Sequence, residues 1–248
     1  MKLGVYQMVV TENIDANTDK IIQALKQSAY SNIDIVAFPE MSLTGYSPEL
    51  LADDDLNLKI RKAITKIEKA ADHFGVAAII GHPYRNPRKK VRPLYNRATA
   101  ILPGNHAMQF CDKIHPVEEE QRYFSAGKAP LLLTFKQNKI GVIICRDQNY
   151  PEIARDLVNQ GARFLYILSA HYYSPKTARW KVEKNRAIPI TRAVENKVHV
   201  LMSNSVGAHL GMISLGNSII VDPDGAVVVS AGESEEALLS VSTDSLHF

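Results

Sequence analysis

KIGVIICRDQNYPEIARDLVNQGARFLYILSA, Lys139 to Ala170, decides the fold. An apolar run from Ile140 to Ile144 is followed by a helix-like segment near Tyr150 to Gln160, then by a second apolar run within ARFLYILSA. Strand, helix and strand in such quick succession is the rhythm of an α/β protein. The rhythm extends in both directions. Before it lie KLGVYQMVV, a helix near Asn17 to Ser31, DIVAF, a helix near Leu56 to Phe74, VAAIIGH, ATAILP, HAMQFCDKI and LLLTFKQ. After it come a helix near Thr177 to Asn196, then VHVLMSN, GNSIIVDP and GAVVVSA. The last two runs are joined through Asp222-Pro223-Asp224-Gly225, hairpin turn chemistry that requires antiparallel pairing, so the sheets must be mixed. No linker, repeat or low-complexity stretch divides the chain, and residues 1–248 read as one domain.

Composition removes several classes of function. With 46% hydrophobic and 22% charged residues the chain has the make-up of a globular protein, and no apolar run approaches the roughly 18 residues of a membrane span. The start, MKLGVYQMVV, is too polar for a signal peptide and reads as a first strand, which predicts a cytoplasmic protein. A net charge of +3 does not call for nucleic acid, and the one basic cluster, RNPRKKVRP at Arg85 to Pro93, carries two prolines and reads as a solvated loop. Neither GxxxxGK[ST] nor GxGxxG occurs, which argues against a nucleotide. Two cysteines, Cys111 and Cys145, make neither a disulfide framework nor a zinc set, so no metal is expected.

Reactive groups gather at strand ends. DIVAF runs into Pro39-Glu40, HAMQFCDKI ends near Lys113, and KIGVIIC ends on Cys145 and breaks at once into Arg146-Asp147-Gln148. In α/β sheets, ligands bind outside the carboxyl ends of strands. An acid, an amine and a thiol there make a coherent nucleophilic site: the carboxylate takes the thiol proton, the ammonium favours the thiolate, and both the ammonium and the Arg146 N–H can face a developing oxyanion. Each residue also has a plain reading, as a loop acid, a surface lysine or a core cysteine. Cys111 lies mid-strand on the same pleat face as Lys113 and reads as structural. His115, His171 and His199 are the candidates for a Cys-His arrangement, and none has a local signature.

AFPEMSLTGY, CDKIHPVEEEQRYFSAG and GVIICRDQNYPEIARDLVNQGA, in that order and spacing, resemble the three signatures of the nitrilase superfamily of carbon–nitrogen hydrolases. The resemblance continues through LYILSA, RAVENKVHVLMSNSVG and GNSIIVDPDG and so covers nearly the whole chain. It implies a four-layer α-β-β-α sandwich with two mixed sheets, and a homodimer in which the helix Thr177 to Asn196 forms part of the interface. It places the Glu-Lys-Cys triad on Glu40, Lys113 and Cys145, and a second glutamate on Glu120, with Glu118 and Glu119 adjacent. Where relatives carry an aromatic or small residue after the cysteine, this chain has Arg146, which either pairs with a substrate carboxylate or bonds a neighbouring acid.

The expected activity is hydrolysis of a small linear amide or carbamoyl compound through a cysteine thioester, with no cofactor. The alternatives are a true nitrilase and a catalytically silent binding protein of the same fold. Tyr46, Arg146, His171, Tyr172, Tyr173 and Arg179 are the residues expected to wall the substrate pocket.

Overall fold

Strands buried on both faces read as unbroken apolar runs, and two sheets of such strands account for the pattern. The computed structural model describes residues 1–243. The order begins β1 (Lys2–Gln7), α1 (Ile14–Tyr30), β2 (Ile35–Ala37), α2 (Pro48–Ala52), α3 (Leu56–Phe74), β3 (Ala77–Arg85), β4 (Leu94–Leu102) and β5 (Asn105–Asp112). It continues with β6 (Leu131–Phe135), β7 (Asn138–Ile144), α4 (Pro151–Asn159), β8 (Phe164–Ser169), α5 (Pro175–Asn196) and β9 (His199–Asn204). The chain then runs through β10 (Val206–His209), β11 (Met212–Leu215), β12 (Ile219–Val221), β13 (Val227–Ser230) and β14 (Ala237–Ser242).

One six-stranded sheet has the order β14-β1-β2-β3-β4-β5 and the other β13-β12-β9-β8-β7-β6. Each is mixed. The parallel strands are β1, β2 and β3 in the first and β7, β8 and β9 in the second, and the flanking strands pair antiparallel. The sheets pack face to face through Leu3, Val5, Ile35, Ile79 and Ala98 on one side and Ile140, Val142, Phe164, Tyr166 and Leu201 on the other. On its outer face the first sheet meets α1 and α3, and the second meets α4 and α5. This is the α-β-β-α sandwich.

Helix α3 shows why the outer layers form. Leu56, Ile60, Ala63, Ile64, Ile67 and Ala71 recur at helical spacing, are all buried, and make one stripe against the sheet. Gly75, at φ 67°, ends the helix in the left-handed conformation that glycine adopts without strain. Among the described residues no helix is long and apolar enough to cross a membrane.

Three features differ from the sequence reading. Helix α1 begins at Ile14 rather than near Asn17, because the Asn13 side chain caps it by accepting from the Ala16 N–H at 3.0 Å. Strand β14, drawn from the weakly patterned EEALLSVS, closes the first sheet against β1. The hairpin of β10 and β11 sits apart from both large sheets. The basic segment 86–93 is the exposed loop between β3 and β4.

Candidate active site

Local backbone constraints bring the three strand ends together. Glu40 lies in a tight turn after β2 that continues through Met41, whose φ is 55°. The turn rests on Gly81 of β3: the Leu43 N–H donates to the Gly81 carbonyl at 3.1 Å, and the Gly81 N–H donates to Ser42 Oγ at 3.1 Å. A Cβ on Gly81 would stand 2.5 Å from Met41 N and 2.6 Å from Pro39 O, so a side chain there would push the Glu40 turn away. Lys113 follows β5 directly. Its carbonyl accepts from the Gly127 N–H at 2.7 Å, and a Cβ on Gly127 would fall 2.0 Å from Asp112 O. Cys145 begins a 3-10 turn, Cys145–Asn149, at φ 44°, a left-handed conformation costing about 1–2 kcal/mol for a residue with a side chain. As second residue of that turn, Arg146 presents an N–H with no acceptor inside the turn.

The side chains converge on one buried ammonium. Lys113 Nζ lies 2.7 Å from Glu40 Oε1 and 2.7 Å from Glu120 Oε2, with all three side chains nearly sealed from solvent. Glu120 also accepts from the Tyr46 hydroxyl at 2.7 Å and from the Val117 N–H at 2.7 Å. Asn96, on β4, donates from Nδ2 to Glu40 Oε1 at 2.7 Å, and the same group lies 3.1 Å from the Tyr46 hydroxyl and 3.2 Å from Glu120 Oε1. The Cys145 thiol faces Glu40, and the Ala170 amide at the end of β8 faces the sulfur.

Electrostatics separates the two carboxyl groups. Burial raises the pKa of Glu40 above the ordinary carboxylate range; the Lys113 ammonium opposes the shift and the charge of Glu120 adds to it. Burial also works against ionising Glu120, but Lys113, Tyr46 and the Val117 N–H outweigh it and leave its pKa below the ordinary value. Burial works to neutralise Lys113, yet the carboxylates of Glu40 and Glu120 hold it firmly protonated. The Cys145 thiol is pushed up, by burial first and by Glu40 second. The expected thiolate character is therefore not a property of the resting site. Attraction to Lys113 is outweighed, and the arrangement is a neutral thiol facing a carboxylate that can take its proton.

The remaining candidates fall in different places. Tyr46 joins the glutamate network, and Glu120 is buried while Glu118 and Glu119 are exposed. His171 is buried, its N–H donating to Asn204 Oδ1 at 3.0 Å; burial, then Lys113, lowers its pKa to about 3 and keeps it neutral. Tyr172 is half-buried beside the His209 ring, and the Tyr173 hydroxyl donates to Asn185 Oδ1 at 3.1 Å. Arg179 is not drawn into the cluster: it lies exposed on α5, 2.7 Å from Glu233. His115 stacks on Tyr150 and its Nδ1 lies 3.0 Å from Asp147 Oδ1, while His199 packs on Phe164 at the start of β9. Glu40, not a histidine, is the group facing the thiol. Cys111 lies in the core between the sheets, where burial pushes its thiol to about 12. Among the described residues no group of three or more His, Cys, Asp or Glu side chains is disposed to hold a metal.

Asn96 escaped the sequence reading. Its signal is a polar residue inside the strand run YNRATAI, which reads equally as an edge-strand asparagine.

The model of the family described as carbon-nitrogen hydrolase matches residues 2–246. The chain belongs to the carbon-nitrogen hydrolase family. A protein from Pyrococcus abyssi called nitrilase is 30% identical over 226 residues, covering 90% of this chain and 81% of its own length. A glutamine-dependent NAD(+) synthetase from Aquifex aeolicus is 29% identical over 237 residues; they cover 94% of this chain but 40% of the synthetase, so the chain spans well under half of that relative. Among solved structures, an amidase from Nesterenkonia sp. superposes with a TM-score of 0.84 at 21% identity, covering 97% of this chain and 89% of the other. That likeness is one of fold: the α-β-β-α sandwich described above.

Proposed function

We propose that this carbon-nitrogen hydrolase is an amidase acting on a small amide or carbamoyl compound. The observation that carries the reading is the buried Lys113 ammonium held 2.7 Å from both Glu40 and Glu120, beside a thiol that faces Glu40. Cys145 Sγ bonds to the carbonyl carbon while its proton passes to Glu40. The oxyanion that forms is met by Lys113 Nζ and the Arg146 N–H. The C–N bond then breaks as Glu40 gives its proton to the departing nitrogen, leaving a thioester and free ammonia or amine. Water attacks the thioester, Glu40 takes the water's proton, the C–S bond breaks, and the sulfur recovers a proton as the acid departs. Glu120, Tyr46 and Asn96 hold Lys113 and Glu40 in place. His171 and Tyr172, after β8, are assigned to the pocket wall. No organic cofactor enters these steps.

The Pyrococcus abyssi relative's name favours a second reading, addition of the thiol to a nitrile carbon. A panel of amides, carbamoyl compounds and aliphatic nitriles assayed for ammonia and acid separates the two. The proposal expects turnover of amides or carbamoyl compounds; turnover of nitriles alone would replace it, and turnover of none would return the chain to a binding role. We also place the protein in the cytoplasm, on the strength of its two free cysteines, and assign it a twofold partner across α5, where Trp180 is 84% exposed.

A further inference from the structure

We propose that the site selects amides whose acyl chain carries a carboxylate, held by the guanidinium of Arg146. The inference rests on the amidase reading of Cys145 and adds the class of substrate.

Arg146 differs from every comparable arginine in the molecule. Five arginines are buried or half-buried among the described residues: Arg85, Arg97, Arg146, Arg186 and Arg192. Arg85 donates to the carbonyls of Leu51 and Asp53, and Arg97 holds Asp112 with two bonds of 2.7 and 3.0 Å. Arg186 reaches Asn217 Oδ1, and Arg192 binds the Gln148 carbonyl and Glu195. The Arg146 guanidinium, half-buried and one residue from the nucleophile, makes no hydrogen bond or ion pair with any described residue. Its nitrogens still reach solvent, whereas the unpartnered Nε of Arg85 is sealed, so the Arg146 fork stands open to a planar anion that arrives with the ligand.

The acid next to it in the chain is committed elsewhere. Asp147 accepts from the Ile114 N–H at 3.0 Å and the His115 N–H at 2.7 Å, and it also meets His115 Nδ1. Glu40 and Glu120 are taken by Lys113, Asn96, Tyr46 and Val117. Helix α5 brings positive charge to two of the residues expected at the pocket wall: Lys181 lies over the Tyr173 ring, and Lys184 acts on His171. A planar carboxylate matches the fork of a guanidinium and completes the set.

The test measures binding by the Cys145→Ala protein, so that it does not depend on turnover. Its probes are the monoamides of malonate, succinate and glutarate, with neutral butanamide as the comparison. The expected result is that at least one monoamide anion binds 10-fold or more tightly than butanamide, and that Arg146→Gln in the same background abolishes the difference. Equal binding of anionic and neutral amides overturns the inference, as does a preference that survives Arg146→Gln. Arg146→Lys in the same background, which keeps the charge and loses the fork, is the second variant should Arg146→Gln not fold; it is expected to lose most of the preference, and a preference it retains in full overturns the inference. Ammonia release by the unmodified enzyme is read separately, so loss of the amidase reading and loss of the anion inference give different results.

Discussion

The Nδ2 amide of Asn96 lies 2.7 Å from Glu40 Oε1, and the same nitrogen reaches Glu120 Oε1 at 3.2 Å. One neutral donor therefore ties together the two carboxylates that share the Lys113 ammonium. A donor to an ionised group favours the ionised form, so removing it shifts the acid–base balance of Glu40.

Replacing Asn96 with Leu is expected to raise the pKa of Glu40 further. Because Glu40 must be ionised to take the thiol proton, the acid limb of the kcat/KM profile should move to higher pH. A hydrogen bond to a charged group contributes about 1.5–3 kcal/mol, so kcat/KM near neutrality should fall by roughly 10- to 100-fold. An acid limb that stays in place would show that Asn96 only packs.

The two cysteines should behave oppositely. Cys145→Ala is expected to lower turnover by at least about 10⁴-fold, while Cys111→Ala, altering a core position between the sheets, should keep turnover near the unmodified level. Iodoacetamide on the native protein should mark Cys145 and spare Cys111, because Cys145 is partly exposed and has a base beside it. Peptide mapping reads both outcomes, and labelling of Cys111 first would reverse the assignment.

Lys113→Met leaves two buried carboxylates facing each other without their cation. Breaking such a set from one side costs about 3–5 kcal/mol, so denaturant titration should show a loss of that order along with loss of turnover. Unchanged stability would mean that the ion cluster is better solvated than its burial indicates.

Acid should weaken the fold through buried imidazoles. Burial lowers the pKa of His82 to about 4 and that of His171 to about 3, below the 6.5 of the free group. An unfolded chain therefore binds these protons first. Their contribution is complete above pH 6.5 and declines on acidification toward the folded values, by about 1.4 kcal/mol per pH unit for each group. His82 sits between Pro83 O at 2.9 Å and Thr99 Oγ1 at 2.8 Å, so His82→Gln should flatten the fall in Tm between pH 6.5 and 4. An identical slope in the variant would remove His82 from the account.

A twofold partner across α5 predicts light scattering at twice the chain's mass at micromolar concentration. Trp180→Asp should yield the single chain. A monomeric unmodified protein would remove the proposed partner.

What the sequence disclosed followed the strength of the local signal. The ends of α3 were legible to the residue because its apolar stripe is regular and Gly75 stops it, and β7 was legible because both of its faces are buried. Strand β14 was not, since EEALLSVS pairs with β1 from the far end of the chain and owes its place to that long-range register. Glu40, Lys113 and Cys145 stood out as polar groups ending apolar runs. Asn96 did not, because its contacts with Glu40, Tyr46 and Glu120 span 24 to 56 residues and leave no local pattern. The unpaired state of Arg146 was equally hidden: whether it bonds a neighbouring acid depends on the backbone, which turns the adjacent Asp147 carboxylate toward the N–H groups of Ile114 and His115.

The central claim is a covalent acyl group on Cys145. Its most direct test is acid-quenched peptide mass spectrometry of the enzyme during turnover of any amide it accepts. The account predicts that the peptide carrying Cys145 gains the mass of the acyl group, with ammonia or amine released in the same step, and that Cys145→Ala shows neither. Release of ammonia with the Cys145 peptide unmodified, and turnover retained in Cys145→Ala, would contradict it.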